Sequence, residues 1–251
     1  MADIIEVKNL TKKYGDFTAV NNISFSVAEN EVFGILGPNG AGKTTTLEMM
    51  EGLKRPTAGT ITVDGIDVER DPDEVKARIG VQLQASNFFE ALSLTELIET
   101  FGAMYNRKVD AMELLEEVQL TDKAKVQAKE LSGGQRQRLS IAIGLVNDPR
   151  VLFLDEPTTG LDPQARRNLW DLIEQIKAKG KTVVITTHYM DEAEVLCDRV
   201  AIMDGGKIIS LNSPRKLIEE LLSTGFSKPV LQQQANLEDV FLTMTGHTLR
   251  E

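Results

Sequence analysis

Eight residues, Gly37-Pro38-Asn39-Gly40-Ala41-Gly42-Lys43-Thr44, constrain this chain more than any other stretch. They follow the apolar run Glu31-Val32-Phe33-Gly34-Ile35-Leu36 and precede a helix-like segment, so they must form a tight turn from a buried strand into a helix. Glycines there let the backbone curl until successive N–H groups point inward, and the following helix adds its positive N-terminal end. Such a turn is a cradle for phosphate. Lys43 is then placed to reach the β- and γ-phosphates of a nucleotide, and the Thr44 hydroxyl to complete the shell of a Mg²⁺ ion.

A chain of 251 residues can bury a full α/β core, and one cassette is expected. Its 38 acidic and 28 basic residues leave a net charge of −10, which disfavours a nucleic-acid partner because phosphate neutralisation needs a dense basic face. The one cysteine, Cys197, excludes a disulfide within the chain and a cysteine-rich zinc site, fits a reducing cytosol and is expected to pack inside a helix. No run of about 18 apolar residues occurs, and Met1-Ala2-Asp3-Ile4-Ile5 puts no basic patch ahead of a hydrophobic stretch. The chain is expected neither to span a membrane nor to be exported. Any membrane role then requires docking onto a separate embedded protein.

Residues 4–35 and 58–68 alternate with period 2, as in Ile23, Phe25 and Val27 against Ser24 and Ser26, which predicts antiparallel strands. Asp64-Gly65 and Asp204-Gly205-Gly206-Lys207 read as hairpin turns. The continuous apolar runs at Glu31–Leu36, Val151–Leu154 and Thr182–Ile185 instead suit strands buried on both faces of a parallel sheet, so the core is expected to be mixed. From Ser93 to about Lys129 the period becomes helical, with Leu94, Leu97, Ile98, Phe101 and Met104 on one face and Met112, Leu115 and Val118 on another. Ser93 and Glu96 form a capping box at its start. The fold expected is α/β, with a helical lobe at about 86–148 inserted in a domain of residues 1–212 and a helical tail at 213–251.

In open α/β sheets ligands sit beyond the carboxyl ends of the strands. Each buried run leads into chemistry: Ile35-Leu36 into the glycine turn, Phe153-Leu154 into Asp155-Glu156-Pro157, and Val184-Ile185 through Thr186-Thr187 to His188. Asp155 and Thr44 can supply oxygen to a magnesium ion, which leaves Glu156 free to polarise an attacking water. His188 can donate a hydrogen bond to the γ-phosphate. Trp170, beside Leu169, Leu172 and Ile173, is read as a packing residue. A second anion site is suggested by Leu131-Ser132-Gly133-Gly134-Gln135, where two glycines and a serine open another helix. Spacing alone does not say why one chain carries two such helix starts.

Leu-Ser-Gly-Gly-Gln at 131–135 resembles the signature motif of ATP-binding cassette (ABC) ATPases. With it come a Walker A motif at 37–44, a Walker B run from Val151 to Asp155 followed by Glu156, and the switch histidine His188, in the family's order. The resemblance implies a P-loop NTPase core with a mixed sheet, an antiparallel β subdomain and a helical signature-motif subdomain. It implies ATP and Mg²⁺ as cofactors and a head-to-tail dimer, for which two copies of this chain suffice, with each ATP held between Walker A of one cassette and the signature motif of the other. By that analogy Asn39, Gly40, Ala41, Gly42, Lys43, Thr44 and Thr45 hold the phosphates, and Ser132, Gly133, Gly134 and Gln135 meet the partner's γ-phosphate. Tyr14 stacks on adenine with Val20 nearby, Asp162 is the D-loop aspartate, and Gln84, with Gln82 two residues earlier as the other candidate, is the Q-loop glutamine, a further group on the metal and the reacting water.

Relatives with one cassette and no membrane span are mostly transporter subunits paired with a separate permease, bound to the inner face of the cell membrane from the cytoplasm. His188-Tyr189-Met190-Asp191-Glu192-Ala193-Glu194 and the ending Leu237 to Leu242, followed by Thr245-Gly246, resemble the prokaryotic export branch for drug, sodium or polysaccharide efflux. The rival within the family is a soluble ATPase acting on ribosomes or DNA. Such relatives usually carry paired cassettes, a coiled-coil insertion or zinc-binding cysteines, and this chain has none of them.

Overall fold

A computed structural model of the chain describes residues 2–82, 88–89 and 91–227. Gln84 and the segment from Leu237 to Gly246 lie outside the described residues. The chain divides into two compact units, residues 1–215 and 216–251.

The alternating segments form β1 (Asp3–Tyr14), β2 (Phe17–Ala28) and, beyond β3 (Val32–Leu36) and α1 (Lys43–Met50), β4 (Ala58–Val63) and β5 (Ile66–Asp67). Antiparallel pairing arranges four of these as a sheet in the order β2-β1-β4-β5, with Asp64-Gly65 turning β4 into β5. Its alternate residues, such as Ile23 and Val27 of β2, face inward and are buried.

After α2 (Pro72–Arg78) and β6 (Ile79–Gln82) come α3 (Leu94–Met104), α4 (Ala111–Glu117) and α5 (Gly133–Leu145). Then β7 (Val151–Asp155), α6 (Pro163–Ala178), β8 (Thr182–Thr187), α7 (Met190–Leu196), the hairpin β9 (Arg199–Asp204) and β10 (Lys207–Asn212), and α8 (Pro214–Ser223) complete the described chain. The second sheet has six strands in the order β10-β9-β3-β8-β7-β6. All its pairings are parallel except the β9–β10 hairpin, so the sheet is mixed as its sequence pattern predicts. Every residue of β3, β7 and β8 is buried, which requires cover on both faces. On one side α1 lies between the two sheets and fully buries Leu47, Met49 and Met50. On the other, α5, α6 and α7 pack against β6, β8 and β3. Truncating Leu47 to alanine in that inter-sheet layer should cost about 2–5 kcal/mol.

The helical stretch begins where expected: the Ser93 hydroxyl accepts from the Glu96 N–H, and the Glu96 carboxylate accepts from the Ser93 N–H. Leu94, Leu97 and Ile98 turn inward, whereas Met104 and Met112 emerge into solvent. The sequence pattern did not reveal β6, because Gly80 and Gln82 interrupt its apolar run. Gly80 has a packing reason: a Cβ there would lie 1.9 Å from the carbonyl oxygen of Gly144, so α5 seats against this strand only where the side chain is absent. Cys197 is buried but follows α7 in extended conformation, a correction to the helix expected around it. No described helix is long and apolar enough to cross a membrane.

Candidate active site

Parallel register sets the site. Leu36 pairs with Thr187 and Asp155 with Thr186, so the turn after β3, the Asp155-Glu156 step after β7 and His188 after β8 emerge side by side. They open onto a cavity of about 640 Å³. Asn39, Gly40, Gly42, Lys43, Thr44 and Thr45 form its floor, and Tyr14, Phe17 and Ala19 one wall.

Gly42 makes the floor possible. It caps α1 in the left-handed region (φ +102°) with no side-chain cap, and a Cβ there would lie 2.6 Å from the carbonyl oxygen of Ala19. Only glycine satisfies both conditions. The helix start is thus left without a protein acceptor on its own cap, as an anion site requires. Ala41 is buried beneath the turn.

Lys43 is 4% exposed, and its ammonium donates to the carbonyl oxygens of Gly37 (2.9 Å) and Pro38 (3.2 Å). It also lies 3.2 Å from Glu156 Oε1, while His188 Nδ1 lies 3.2 Å from Glu156 Oε2. The histidine contact lacks hydrogen-bond geometry. Glu156 itself is a non-glycine residue in the left-handed region (φ +46°). Its N–H is fixed by the Thr186 carbonyl (3.1 Å) and hydroxyl (3.0 Å), which hold this unfavourable backbone and aim the carboxylate into the cavity. Burial works to raise the Glu156 carboxyl, but the Lys43 hydrogen bond and charge, joined by His188, outweigh it and hold the carboxyl below its usual value.

Asp155 behaves oppositely. Burial raises its carboxyl, Glu156 and Glu48 add repulsion, and the hydroxyls of Thr186 and Thr44 only partly offset this. The Thr44 hydroxyl donates to Asp155 Oδ1 at 3.2 Å. A buried carboxylate beside a hydroxyl, both hard oxygen donors, fits a magnesium ion and not a softer metal. Among the described residues no group of three or more His, Cys, Asp and Glu side chains is placed to hold an ion unaided. A cation here must draw its other ligands from a bound phosphate or water.

Tyr14 stands half exposed at the end of β1, with Lys12 Nζ 5.2 Å and Lys54 Nζ 6.0 Å from its ring centre. Val20 is fully buried and packs behind Gly42, and the wall beside Tyr14 is made by Phe17 and Ala19 instead. Sequence reasoning missed Phe17, although the tight β1–β2 turn pairs it directly with Tyr14. It also missed Thr159, whose hydroxyl donates to Glu156 Oε2 at 3.3 Å.

Ser132, Gly133, Gly134 and Gln135 do not line this cavity. They begin α5, where Ser132 Oγ accepts from the Gln135 N–H and the Gln135 side chain accepts from the Ser132 N–H. Asp162 caps α6 through Ala165 N at 2.8 Å. The two helix starts are neighbours: a Cβ on Gly134 would lie 3.0 Å from that of Ala165.

The model of the ABC transporter family matches residues 20–159. The chain belongs to this family. It is 42% identical over 249 residues, 97% of its own length and 82% of the relative's, to Nod factor export ATP-binding protein I of Burkholderia lata. The protein of that name from Cupriavidus pinatubonensis is 36% identical over 302 residues, with 99% and 92% covered. Among solved structures, an ATP-binding cassette of an ABC transporter in its ADP conformation superposes with a TM-score of 0.78 at 26% identity, covering 89% of this chain and 96% of that one. A dimeric cassette in a post-hydrolysis state with ADP and Pi gives 0.75 at 30% identity, with 84% and 99% covered. This ABC ATPase accordingly binds ATP and ADP and hydrolyses ATP.

Proposed function

We propose that the chain is the ATP-hydrolysing subunit that powers export through a separate transmembrane permease, seated on the inner face of the cell membrane. The relatives' names support export as the direction, and no described helix is long and apolar enough to cross a membrane, in keeping with a pore formed by a separate chain. Residues 1–212 act as the cassette and 213–251 as a tail, a reading supported by the break between compact units after residue 215.

In this reading Asn39 through Thr45 cradle the phosphates and Tyr14 stacks on adenine, with Val20 supporting the pocket from behind. Thr44, Asp155 and Gln84 would hold Mg²⁺, which neutralises charge on the β- and γ-phosphates. Glu156 takes the proton of the attacking water, and His188 orients the γ-phosphate. The carrying observation is the strained placement of Glu156 between Lys43 and His188. Phosphates arriving in the cradle draw Lys43 away from Glu156. That removes the charge that holds its carboxyl low, so the base gains strength as its substrate binds.

A second copy supplies Ser132, Gly133, Gly134 and Gln135 to the γ-phosphate, and Asp162 relays closure across the interface. ATP then drives closure through contacts present only in the closed pair. Two measurements test the assignment together: phosphate release from ATP, and the partner recovered on purification. Recovery with a hydrophobic chain bearing several spans of about 20 apolar residues is expected. Recovery with ribosomes or DNA would overturn the transport role.

A further inference from the structure

Glu192 of α7 is fully buried, and nothing in the chemistry above uses it. Its Oε1 accepts from the indole N–H of Trp170 at 3.2 Å, which gives Trp170 a polar role beyond the packing its sequence suggests. Burial raises the Glu192 carboxyl, while the hydroxyls of Thr187 and Thr158, the Trp170 indole and the Arg166 charge favour its ionised form. The set is incomplete: Glu192 Oε2 and Thr158 Oγ1 make no hydrogen bond of ordinary geometry. A carboxyl buried among partly satisfied polar groups is costly, and an apolar side chain would pack the site more cheaply.

The groups around Glu192 belong to three segments, two of which line the active-site cavity. Thr187 ends β8 immediately before His188, and its hydroxyl accepts from the Tyr189 N–H at 3.0 Å. Thr158 lies two residues beyond Glu156 and is fully buried. Arg166 and Trp170 stand one turn apart on α6, the helix capped by Asp162. Arg166 also covers the Tyr189 ring at 4.5 Å, and that ring lies 4.1 Å from the ring of His188.

We propose that Glu192 is a positioning residue for ATP hydrolysis: its hydrogen bond with Trp170 ties the helix that Asp162 caps to α7, which follows directly on the strand end that presents His188. It touches neither nucleotide nor water. Displacement of α6 from its Asp162 end would therefore reach the His188 strand end through one carboxylate. The inference rests on the roles assigned above to His188 and Glu156.

The test is steady-state ATP hydrolysis by the full chain carrying Glu192→Gln or Trp170→Phe, alongside Glu156→Gln and His188→Ala. Glu192→Gln keeps the shape and an acceptor for Trp170 but puts an amide where the carboxyl stood, and kcat should fall about tenfold with KM for ATP and ADP affinity within about twofold of wild type. Trp170→Phe removes only the indole donor, and kcat should fall about threefold with the melting temperature kept. Unchanged kcat in both variants, or kcat, KM and melting temperature deteriorating together, would overturn the proposal. Normal turnover in Glu156→Gln and His188→Ala would instead remove the assignment on which it stands. Should Glu192→Gln fail to fold, Trp170→Phe decides alone.

Discussion

Two helices of this chain begin with glycine and a small polar residue, yet the two starts are built differently. At α1 the cap is Gly42, with no side chain to offer, and Lys43 is buried beside it facing a 640 Å³ cavity. At α5 the cap is Ser132, and a reciprocal box with Gln135 already satisfies two N–H groups. The first has no side-chain cap at all, and the second is half capped by its own side chains. A self-capped helix end cannot bind phosphate tightly unless another surface supplies most of the contacts. In the proposed function this contrast assigns nucleotide affinity to the α1 start and leaves the α5 start to contribute only once a loaded partner comes to it.

Four substitutions break or sharpen this contrast. The largest effect is expected from Glu156→Gln, which leaves both helix starts intact: turnover should fall by about a hundredfold or more while ATP binding persists, measured by phosphate release and equilibrium binding. Retained turnover would show that the chemistry lies elsewhere. Lys43→Ala should weaken ATP binding to the isolated chain roughly a hundredfold, because a charge-assisted contact in a buried site is lost.

Ser132→Ala sharpens the other side. Nucleotide affinity of the isolated chain should not change, and turnover should fall about tenfold, near the loss for one transition-state hydrogen-bond donor. A loss of affinity in the isolated chain as large as that of Lys43→Ala would erase the distinction between the two starts.

The smallest effect concerns stability on the α1 side. Burial, with repulsion from Asp155 and Glu48, pushes the Glu51 carboxyl up to about 8. Between its ordinary 4.5 and about 8 the folded nucleotide-free chain keeps a proton that the unfolded chain gives up, so Glu51 costs stability increasingly as pH rises through that window. Glu51→Gln should match wild type at pH 4 and exceed it at pH 6 by roughly 2 kcal/mol in chemical denaturation. An equal difference at both pH values would contradict this origin.

Much of the architecture was legible because local chemistry and global fold agree. Continuous apolar runs marked β3, β7 and β8, Asp64-Gly65 marked a hairpin, and Ser93 with Glu96 marked a helix start. The strand ends that carry Lys43, Asp155, Glu156 and His188 followed from the rule that ligands sit beyond them. What stayed hidden depends on partners distant in sequence. β6 is a strand because Gly80 admits α5 through Gly144, and Glu156 is left-handed because Thr186 of the next strand holds its N–H. Trp170 looked like packing because its acceptor, Glu192, lies on another helix.

The central claim, that each working site is assembled from the α1 start of one copy and the α5 start of another, can be tested by mixing two inactive variants. Lys43→Ala destroys the cradle and spares the α5 start, whereas Gly134→Asp sets a negative charge at the α5 start and spares the cradle. Random pairing makes half the dimers mixed, each with one intact composite site, so the mixture should recover about a quarter of the wild-type ATPase rate. A mixture no more active than either variant alone would contradict the account.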